Sequence, residues 1–441
     1  MKLADIAALL SSSCDHDLEL SGICIDSRRV QPQSLFIAIR GERFDGHDFV
    51  LDVERAGAVA VVCETAVAGL TIPQFIVANT TNALAMIATH HRQSLSCAAI
   101  ALTGSNGKTS VKEMIASILP SPSFATPGNL NNHIGAPLSV LQLKPFHRFA
   151  VFELGASHIG EIAHTVAVVK PQVTLINNIA PAHIEGFGSI DGVANAKGEI
   201  HQGLAPNGTA VINDDDAYAH YWDAILADKR VVRFSAEKPT DIYARDITLD
   251  TNGCAHFNLV TPLGDAVIQL NVPGRHNVSN ALAAVACAYA LGISLADIVA
   301  GLQRFSGVAG RMTFKIGKNQ AVIIDDTYNA NLRSALTAVD VLAERQGRRI
   351  LVLGDMGELG DWASQHHEEV GLAARKHGID MVMTCGTHSA NTSLAFGDHG
   401  KHYDSQSHLA RDLMTYLDAE TTVLVKGSRS SAMENIVHEL L

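Results

Sequence analysis

The feature that most constrains this 441-residue chain is a continuous apolar run, CAAIALTG from Cys97 to Gly104. It ends in a glycine-rich turn and gives way at once to KTSVKEMIASIL, whose apolar residues recur at helical spacing. A strand without polar alternation is buried on both faces, and such strands belong to parallel sheets whose crossovers are helices. The alternation continues: RFAVFEL (148–154), QVTLINN (172–178) and GTAVIND (208–214) read as strands, and SIDGVANAKGEIHQGL (189–204) reads as a helix. From about Asp241 to Asn271 the pattern turns β-rich and antiparallel, and HNVSNALAAVACAYALG (276–292) is a strong helix closing the region.

Two smaller α/β patterns flank this one. Before it, SLFIAIRG (34–41), AGAVAVVCE (56–64) and PQFIVAN (73–79) read as strands, with a turn-rich GERFDGHDF (41–49) and a helix over about Asn82–Gln93. After Arg311, strands QAVIIDDTY, RRILVLGDM, DMVMTCG and TTVLVKGS alternate with helices NLRSALTAVDVLAER, HHEEVGLAARKHG and SAMENIVHELL. The expectation is an α/β protein of three domains, 1–95, 96–311 and 312–441. The length suits several cores, and a 47% hydrophobic, 18% charged composition supplies them.

A net charge of −12 argues against a general binder of nucleic acid or membrane surface. The seven cysteines are odd in number and form no C-x-x-C pair, so they read as small apolar residues in a reducing compartment. The N-terminal stretch reads as a short amphipathic helix interrupted by Asp5, not as a signal peptide. No apolar run reaches the roughly 18 residues of a membrane span. A cytoplasmic location is expected.

The turn after the first apolar run carries chemistry. Thr103, Gly104, Ser105, Asn106, Gly107, Lys108, Thr109 and Ser110 lie between strand and helix, where backbone N–H groups and a helix N-terminus receive phosphate. Gly104 and Gly107 permit the turn, Lys108 suits the β- and γ-phosphates, and the Thr109 hydroxyl suits Mg²⁺. Leu102 stands where the general P-loop has its first glycine. The alternative is a strand–helix turn with an incidental lysine.

T-G-[ST]-x-G-K-T without that glycine resembles the loop of the Mur ligase and folylpolyglutamate synthase superfamily. Further blocks resemble it in the same order: NLNNHIGAPLSVL (129–141), FELGASHIGEI (152–162), NNIAPAHIEGFGS (177–189), AKGEI (196–200), PGRHNVSNALAA (273–284) and GRM (310–312). Together they cover nearly the whole chain. DDTYNANLRSAL (325–336), LGDMGELG (353–360) and KGSRSSAMENIV (426–437) are similar to the branch that adds D-alanyl-D-alanine to UDP-MurNAc-tripeptide. No D-N-P-R motif of the diaminopimelate-adding relative is present, and Leu332 stands where the branch usually has Pro.

The resemblance implies a central P-loop-type parallel sheet, a small N-terminal UDP-binding α/β domain and a C-terminal Rossmann-like domain. It implies an ATP-dependent ligase of peptidoglycan precursor synthesis. ATP phosphorylates the tripeptide's carboxylate, and the dipeptide amine attacks the acyl phosphate to give amide, ADP and phosphate. Such chemistry rests on positioning and positive charge, supplied by Lys108 and two Mg²⁺ ions. Thr109 and Glu153 are the oxygen ligands expected, Glu153 lying at a strand's carboxyl end; alone, it reads equally as a solvated strand-end acid. The resemblance adds His183 as a ligand of the second metal, although nitrogen is unusual for Mg²⁺. It also implies that Lys197 carries a CO₂-derived carbamate, since a bare ammonium would be repelled by the metals; a solvated helix lysine is the alternative.

His276 and Asn277 are expected at the adenine, with Asn280 supporting them, although Asn277 also reads as a helix cap. Arg311 and Asp326 resemble residues reaching ATP phosphate and ribose, with Tyr328 following on the same loop. In the first domain Ser27, Arg28, Gly41, Phe44, Asp45, Gly46 and His47 are expected to hold the UDP portion, the alternative being turn residues and surface charge. Asn329, Asn331, Arg333, Asp355, Glu358, Lys426 and Arg429 are candidates for the amine substrate. The implied partners are the two substrates, with no nucleic acid, no membrane span and a monomeric chain. Another Mur-type or folylpolyglutamate-type ligase is the nearer alternative. A nucleotide-switch P-loop protein is the remoter one, and it leaves Glu153, His183 and Lys197 without a shared role.

Overall fold

Three sheets follow one another along the chain in the computed structural model, which describes residues 1–14, 18–41, 44–181 and 184–441. The protein is α/β, and parallel pairing dominates. The first sheet is wholly parallel, in the order β1 (Gly22–Cys24), β2 (Ser34–Ile37), β3 (Ala60–Cys63), β4 (Gln74–Ile76). Its central strands β2 and β3 are buried at every position, as their unbroken apolar sequences require.

The middle sheet has nine strands. They are β5 (Ala98–Thr103), β6 (Ser123–Ala125), β7 (Phe149–Glu153), β8 (Val173–Ile176), β9 (Thr209–Asn213), β10 (Arg230–Ser235), β11 (Ile242–Leu249), β12 (Cys254–Thr261) and β13 (Gly264–Pro273), in the order 13-12-11-10-9-8-5-7-6. β5 to β11 pair in parallel, and β12 and β13 add an antiparallel extension. Alternation places Ile100 and Leu102 of β5 in one core, with Val111, Met114 and Ile115 of the helix Lys108–Ile118 and the alanine-rich helix His276–Ala290. Ala99 and Ala101 face the other core, with Ile162 and Val166 of the helix Glu161–Val169. The helix Thr80–Gln93 serves two cores at once: Leu84 and Ile87 pack with the first sheet, Ala85 and Ala88 with the middle one.

The third sheet runs β14 (Thr313–Ile316), β15 (Val322–Asp326), β19 (Thr421–Lys426), β16 (Arg348–Gly354), β17 (Met381–Cys385), β18 (Gly400–Tyr403), antiparallel only between β14 and β15. Its faces are again split by alternation, Ile324, Leu351, Leu353 and Leu424 on one and Ile323, Ile350, Val352 and Val425 on the other. The expected helix over 189–204 is α-helical only over Ile190–Gly198 and tightens to 3₁₀ over Glu199–Gly203. All seven cysteines are free. Among the described residues no helix is long and apolar enough to cross a membrane.

Candidate active site

β5 is where the winding of the middle sheet changes direction: β7 pairs on one side of it and β8 on the other. A crevice opens beyond the carboxyl ends of strands at such a point. The glycine turn follows β5, Glu153 ends β7, Asn177 and Asn178 follow β8, and Asn213 ends β9.

The turn is held from below by asparagine side chains. The Asn106 N–H donates to Asn178 Oδ1 at 2.9 Å, while the Asn106 carbonyl accepts from Asn177 Nδ2 at 2.9 Å and Asn178 Nδ2 at 3.1 Å. Asn177 Nδ2 also donates to Asn280 Oδ1, Asn280 Nδ2 to Asn277 Oδ1, and Asn277 Nδ2 to the Pro273 carbonyl. Asn213 Nδ2 donates to the Asn177 carbonyl. Ser105 closes the far side, its hydroxyl donating to the Ala180 carbonyl at 2.9 Å. Gly107, at φ 77°, leaves no room for a side chain: a Cβ there would lie 2.5 Å from Asn280 Oδ1 and 2.7 Å from Asn177 Nδ2. A glycine is required for both the left-handed backbone and the close approach. The buried Thr103 hydroxyl has no partner among the described residues, and Ser110 is half-buried on the first turn of the helix.

Lys108 begins that helix and folds back, donating to the Gly104 carbonyl at 2.7 Å. Burial pushes its ammonium below the ordinary lysine value, Glu153 opposing and Arg311 adding to the shift. Lys197 is 1% exposed, with its ammonium 5.8 Å from the Phe187 ring centre. Burial holds its ammonium well below the usual lysine value, with Lys108 adding to the shift.

Glu153 is 3% exposed. Its N–H donates to Thr126 Oγ1 at 3.1 Å, and Thr126 is pinned in turn by the buried Lys112, whose Nζ donates to its carbonyl at 2.9 Å. Asn131 Nδ2 donates to Glu153 Oε1 at 2.9 Å, while Oε2 is buried without a partner among the described residues. An orphaned carboxylate oxygen in a dry crevice costs free energy unless something fills the place opposite it. With the Thr109 hydroxyl it offers the hard oxygen donors that Mg²⁺ prefers. Among the described residues no cluster of three or more His, Cys, Asp or Glu side chains is placed to hold a metal. His183 lies outside the described residues.

Three side chains from the link before β14 and from the third unit reach the turn and the segment after β8. Arg311 Nη2 donates to Thr109 Oγ1 at 3.0 Å, and its guanidinium stacks 4.2 Å from the Tyr328 ring centre. Asn331 Nδ2 donates to Asn106 Oδ1 at 2.9 Å, and Arg333 Nη1 to the Ile179 carbonyl at 3.2 Å. Asn331 also caps the helix Leu332–Ala343 in a reciprocal box with Ser334. Leu332 is thus the first helical residue, a position that tolerates proline well. Asp326 ends β15 and accepts from the buried Lys426 Nζ at 2.5 Å. His276 senses both: burial pushes its imidazole down to about 4, Asp326 opposing and Lys426 adding.

Other expected residues are turned toward the fold. Lys426 is 2% exposed and spends its donors on Asp326 and the Asn329 carbonyl, where an open cation for a substrate carboxylate is expected. Asp355 accepts from the N–H groups of Thr387, His388 and Ser389 with its two oxygens. Burial raises its carboxyl, and those amides more than offset this to hold it below the usual range. Asn277 and Asn280 are buried in the asparagine lattice under the turn, inside the place expected to face adenine. Arg429 pairs with Glu434 at 2.7 Å, Asn329 accepts from the Ala330 N–H, and Glu358 is exposed on the same loop as Asp355.

In the first unit, Asp26 caps the 3₁₀ turn Ser27–Arg29 and pairs with Arg28 at 2.8 Å, which brings its carboxyl down to about 2. Asp45 accepts from the His47 N–H, from Arg40 and from the His47 ring, and these hold its carboxyl well below the carboxylate range. His47 Nε2 accepts from the Glu64 N–H, which leaves its ring proton on Nδ1 facing Asp45. Gly41 donates to the Phe44 carbonyl, Gly46 packs against the Ile39 backbone, and Phe44 is 74% exposed. Asn131, Asn177, Asn178, Thr126 and Lys112 escaped the sequence reading as site residues; Asn131 and the Asn177–Asn178 pair lie within blocks it singled out.

A glycine turn on a buried strand, a lysine folded onto it and an acidic strand end beside it define a shortened P-loop centre in an α/β chain. Family models match accordingly: the Mur ligase middle domain over residues 102–288, the glutamate ligase domain over 310–429 and the Mur ligase family catalytic domain over 19–92. The chain belongs to the Mur ligase family. It is 44% identical over 430 residues to the UDP-N-acetylmuramoyl-tripeptide–D-alanyl-D-alanine ligase of Escherichia coli K12, covering 96% of this chain and 94% of that one. A crystal structure of MurF from Acinetobacter baumannii matches with a TM-score of 0.92 at 35% identity, covering 99% of this chain and 98% of that one. MurF from Thermotoga maritima in complex with ADP matches with a TM-score of 0.83 at 26% identity, over 95% and 96% of the two chains.

Proposed function

We propose that this Mur ligase joins D-alanyl-D-alanine to UDP-MurNAc-tripeptide, using ATP, in peptidoglycan precursor synthesis. The observation that carries this is the meeting, at the end of β5, of the glycine turn, Lys108 and the orphaned oxygen of Glu153, inside a chain alike over 96% of its length to a ligase of that name. The turn's N–H groups and Lys108 hold the β- and γ-phosphates of ATP, and Arg311 approaches from the link before β14 as the phosphoryl group moves to the tripeptide carboxylate. The dipeptide amine then attacks the acyl phosphate, and amide, ADP and phosphate leave.

Thr109, Glu153 and His183 are the residues that would hold Mg²⁺, two ions in this reading; bound there, the ions supply positive charge to the transferring group. Lys197 is the site for a carbamate. A carbamate forms when a neutral amine attacks CO₂ and gives up a proton to solvent, and burial shifts this group in the direction that favours the neutral form. The resulting anion would also relieve its repulsion by Lys108. Ser27, Arg28, Gly41, Phe44, Asp45, Gly46 and His47 form the face for the UDP portion, where Phe44 is an exposed ring able to stack. Asn329, Asn331, Arg333, Glu358 and Arg429 line the approach of the amine, while Asp355 and Lys426 shape its walls. The domains 1–95, 96–311 and 312–441 close around the substrates and keep water from the acyl phosphate, in a monomer of the cytoplasm.

Incubation with ATP, Mg²⁺, UDP-MurNAc-tripeptide and D-Ala-D-Ala, followed by mass analysis, tests this reading. The pentapeptide product with matching ADP is expected. ADP release that ignores the dipeptide would overturn it.

A further inference from the structure

Glu153 does not present both carboxylate oxygens to the crevice. Oε1 is taken by Asn131 Nδ2 at 2.9 Å, and only Oε2 is left without a partner among the described residues. Asn131 is held in that place by Gly155. Its carbonyl accepts from the Gly155 N–H at 2.9 Å, just past Glu153, and a Cβ on Gly155 would lie 3.2 Å from the Asn131 side chain. The Glu153 backbone is fixed separately, through Thr126 and Lys112. The amide therefore controls how the carboxylate is offered, and not whether the strand end exists.

The two common divalent cations differ in what they ask of a carboxylate. Mg²⁺ demands a near-ideal octahedron and takes one oxygen per carboxylate, whereas Ca²⁺ accepts six to eight oxygens and is readily held by both at once. We infer that Asn131 is a positioning residue that masks Oε1, confines Glu153 to single-oxygen binding and so biases the site toward Mg²⁺ over Ca²⁺. This rests on the reading of Glu153 as a metal ligand. The group acting on the cation is Glu153, with Asn131 acting through it, as partners of ligating groups commonly do.

The test is direct metal binding to the full chain. Mn²⁺ is titrated into protein saturated with a non-hydrolysable ATP analogue, bound Mn²⁺ is followed by electron paramagnetic resonance against analogue alone, and Mg²⁺ or Ca²⁺ is used to displace it. Asn131→Ala is expected to retain Mn²⁺ binding while the effectiveness of Ca²⁺ relative to Mg²⁺ rises about tenfold or more. Asn131→Leu, close to asparagine in size but with no N–H to donate to Oε1, should move the same ratio in the same direction and serves if Asn131→Ala is unstable. A ratio unchanged in a folded variant overturns the inference. Glu153→Gln is the separate arm: it should weaken Mn²⁺ at least about tenfold, and binding equal to that of the unaltered chain would overturn the ligand reading instead.

Discussion

The turn after β5 and the face of the first sheet are both phosphate-suited by sequence, yet they are built in opposite ways. In and under the turn, Asn106, Asn177, Asn178, Asn213, Asn277 and Asn280 bond one another and the backbone, mostly in buried positions. On the first sheet, Arg28 is 86% exposed against Asp26 and Arg40 is 61% exposed against Asp45. Buried amide networks hold a fixed geometry because breaking one strands polar groups in a low dielectric. Exposed ion pairs are screened and hold little. The difference teaches that the turn is set before any ligand arrives, while the face proposed for the UDP portion has its charges parked on each other.

The sharpest way to break this contrast is Lys108→Ala. Turnover should fall about a thousandfold, as read by ADP release, while the melting temperature holds, since burying that ammonium is itself unfavourable. Activity within tenfold of the parent would show that the turn is not the preset centre. The interior can also be probed by acid. His201 is 6% exposed, and burial depresses its imidazole from 6.5 to about 4. Its contribution to stability is present above pH 6.5 and is lost as pH falls toward 4, because the unfolded chain takes the proton first, for about 3 kcal/mol in all. Chemical denaturation between pH 7 and 4.5 should show that slope, and His201→Gln should flatten it.

Gly107→Ala forces the left-handed backbone and a clash with Asn280 Oδ1. Nucleotide affinity should weaken about tenfold, within the 1–3 kcal/mol that such strain costs, and Asn280→Ala in the same chain should restore part of it. Asn331→Ala removes a helix cap and the bond to Asn106, for about 1 kcal/mol in denaturant unfolding. The smallest effect belongs to the first sheet. Arg28→Ala should leave the melting temperature unmoved and raise KM for the nucleotide-sugar peptide with kcat unchanged; a fall in kcat alone would blur the two regions.

Much of this organisation is legible in the residues. The unbroken apolar runs of β2, β3, β5, β8 and β16 announce parallel sheets, and Gly104, Gly107 and Lys108 announce the turn. β1, β6, β14 and β18 escaped because they lie at sheet edges and are three or four residues long, too short for a period to show. β10 was hidden by Arg230 and Arg233, which break its apolar run; Arg233 pairs with Asp214 and Asp223. Lys426 and Asp355 show the limit at the site. A polar residue at a strand end can face a ligand or the backbone, and only the fold shows that these two turn inward. The asparagines of this network are unreadable for the same reason, since their partners lie up to 225 residues away.

Arg311 belongs to the short link between the helix Leu295–Arg304 and β14, yet its guanidinium rests on Tyr328 of the third unit and bonds Thr109 of the second. The length of that link is therefore a tuning screw. Adding one residue between Ser306 and Gly307, just past the buried Phe305, would leave that side chain in its core and still shift a positive charge at the place where phosphate is expected, so that two chains of similar stability would differ in pace.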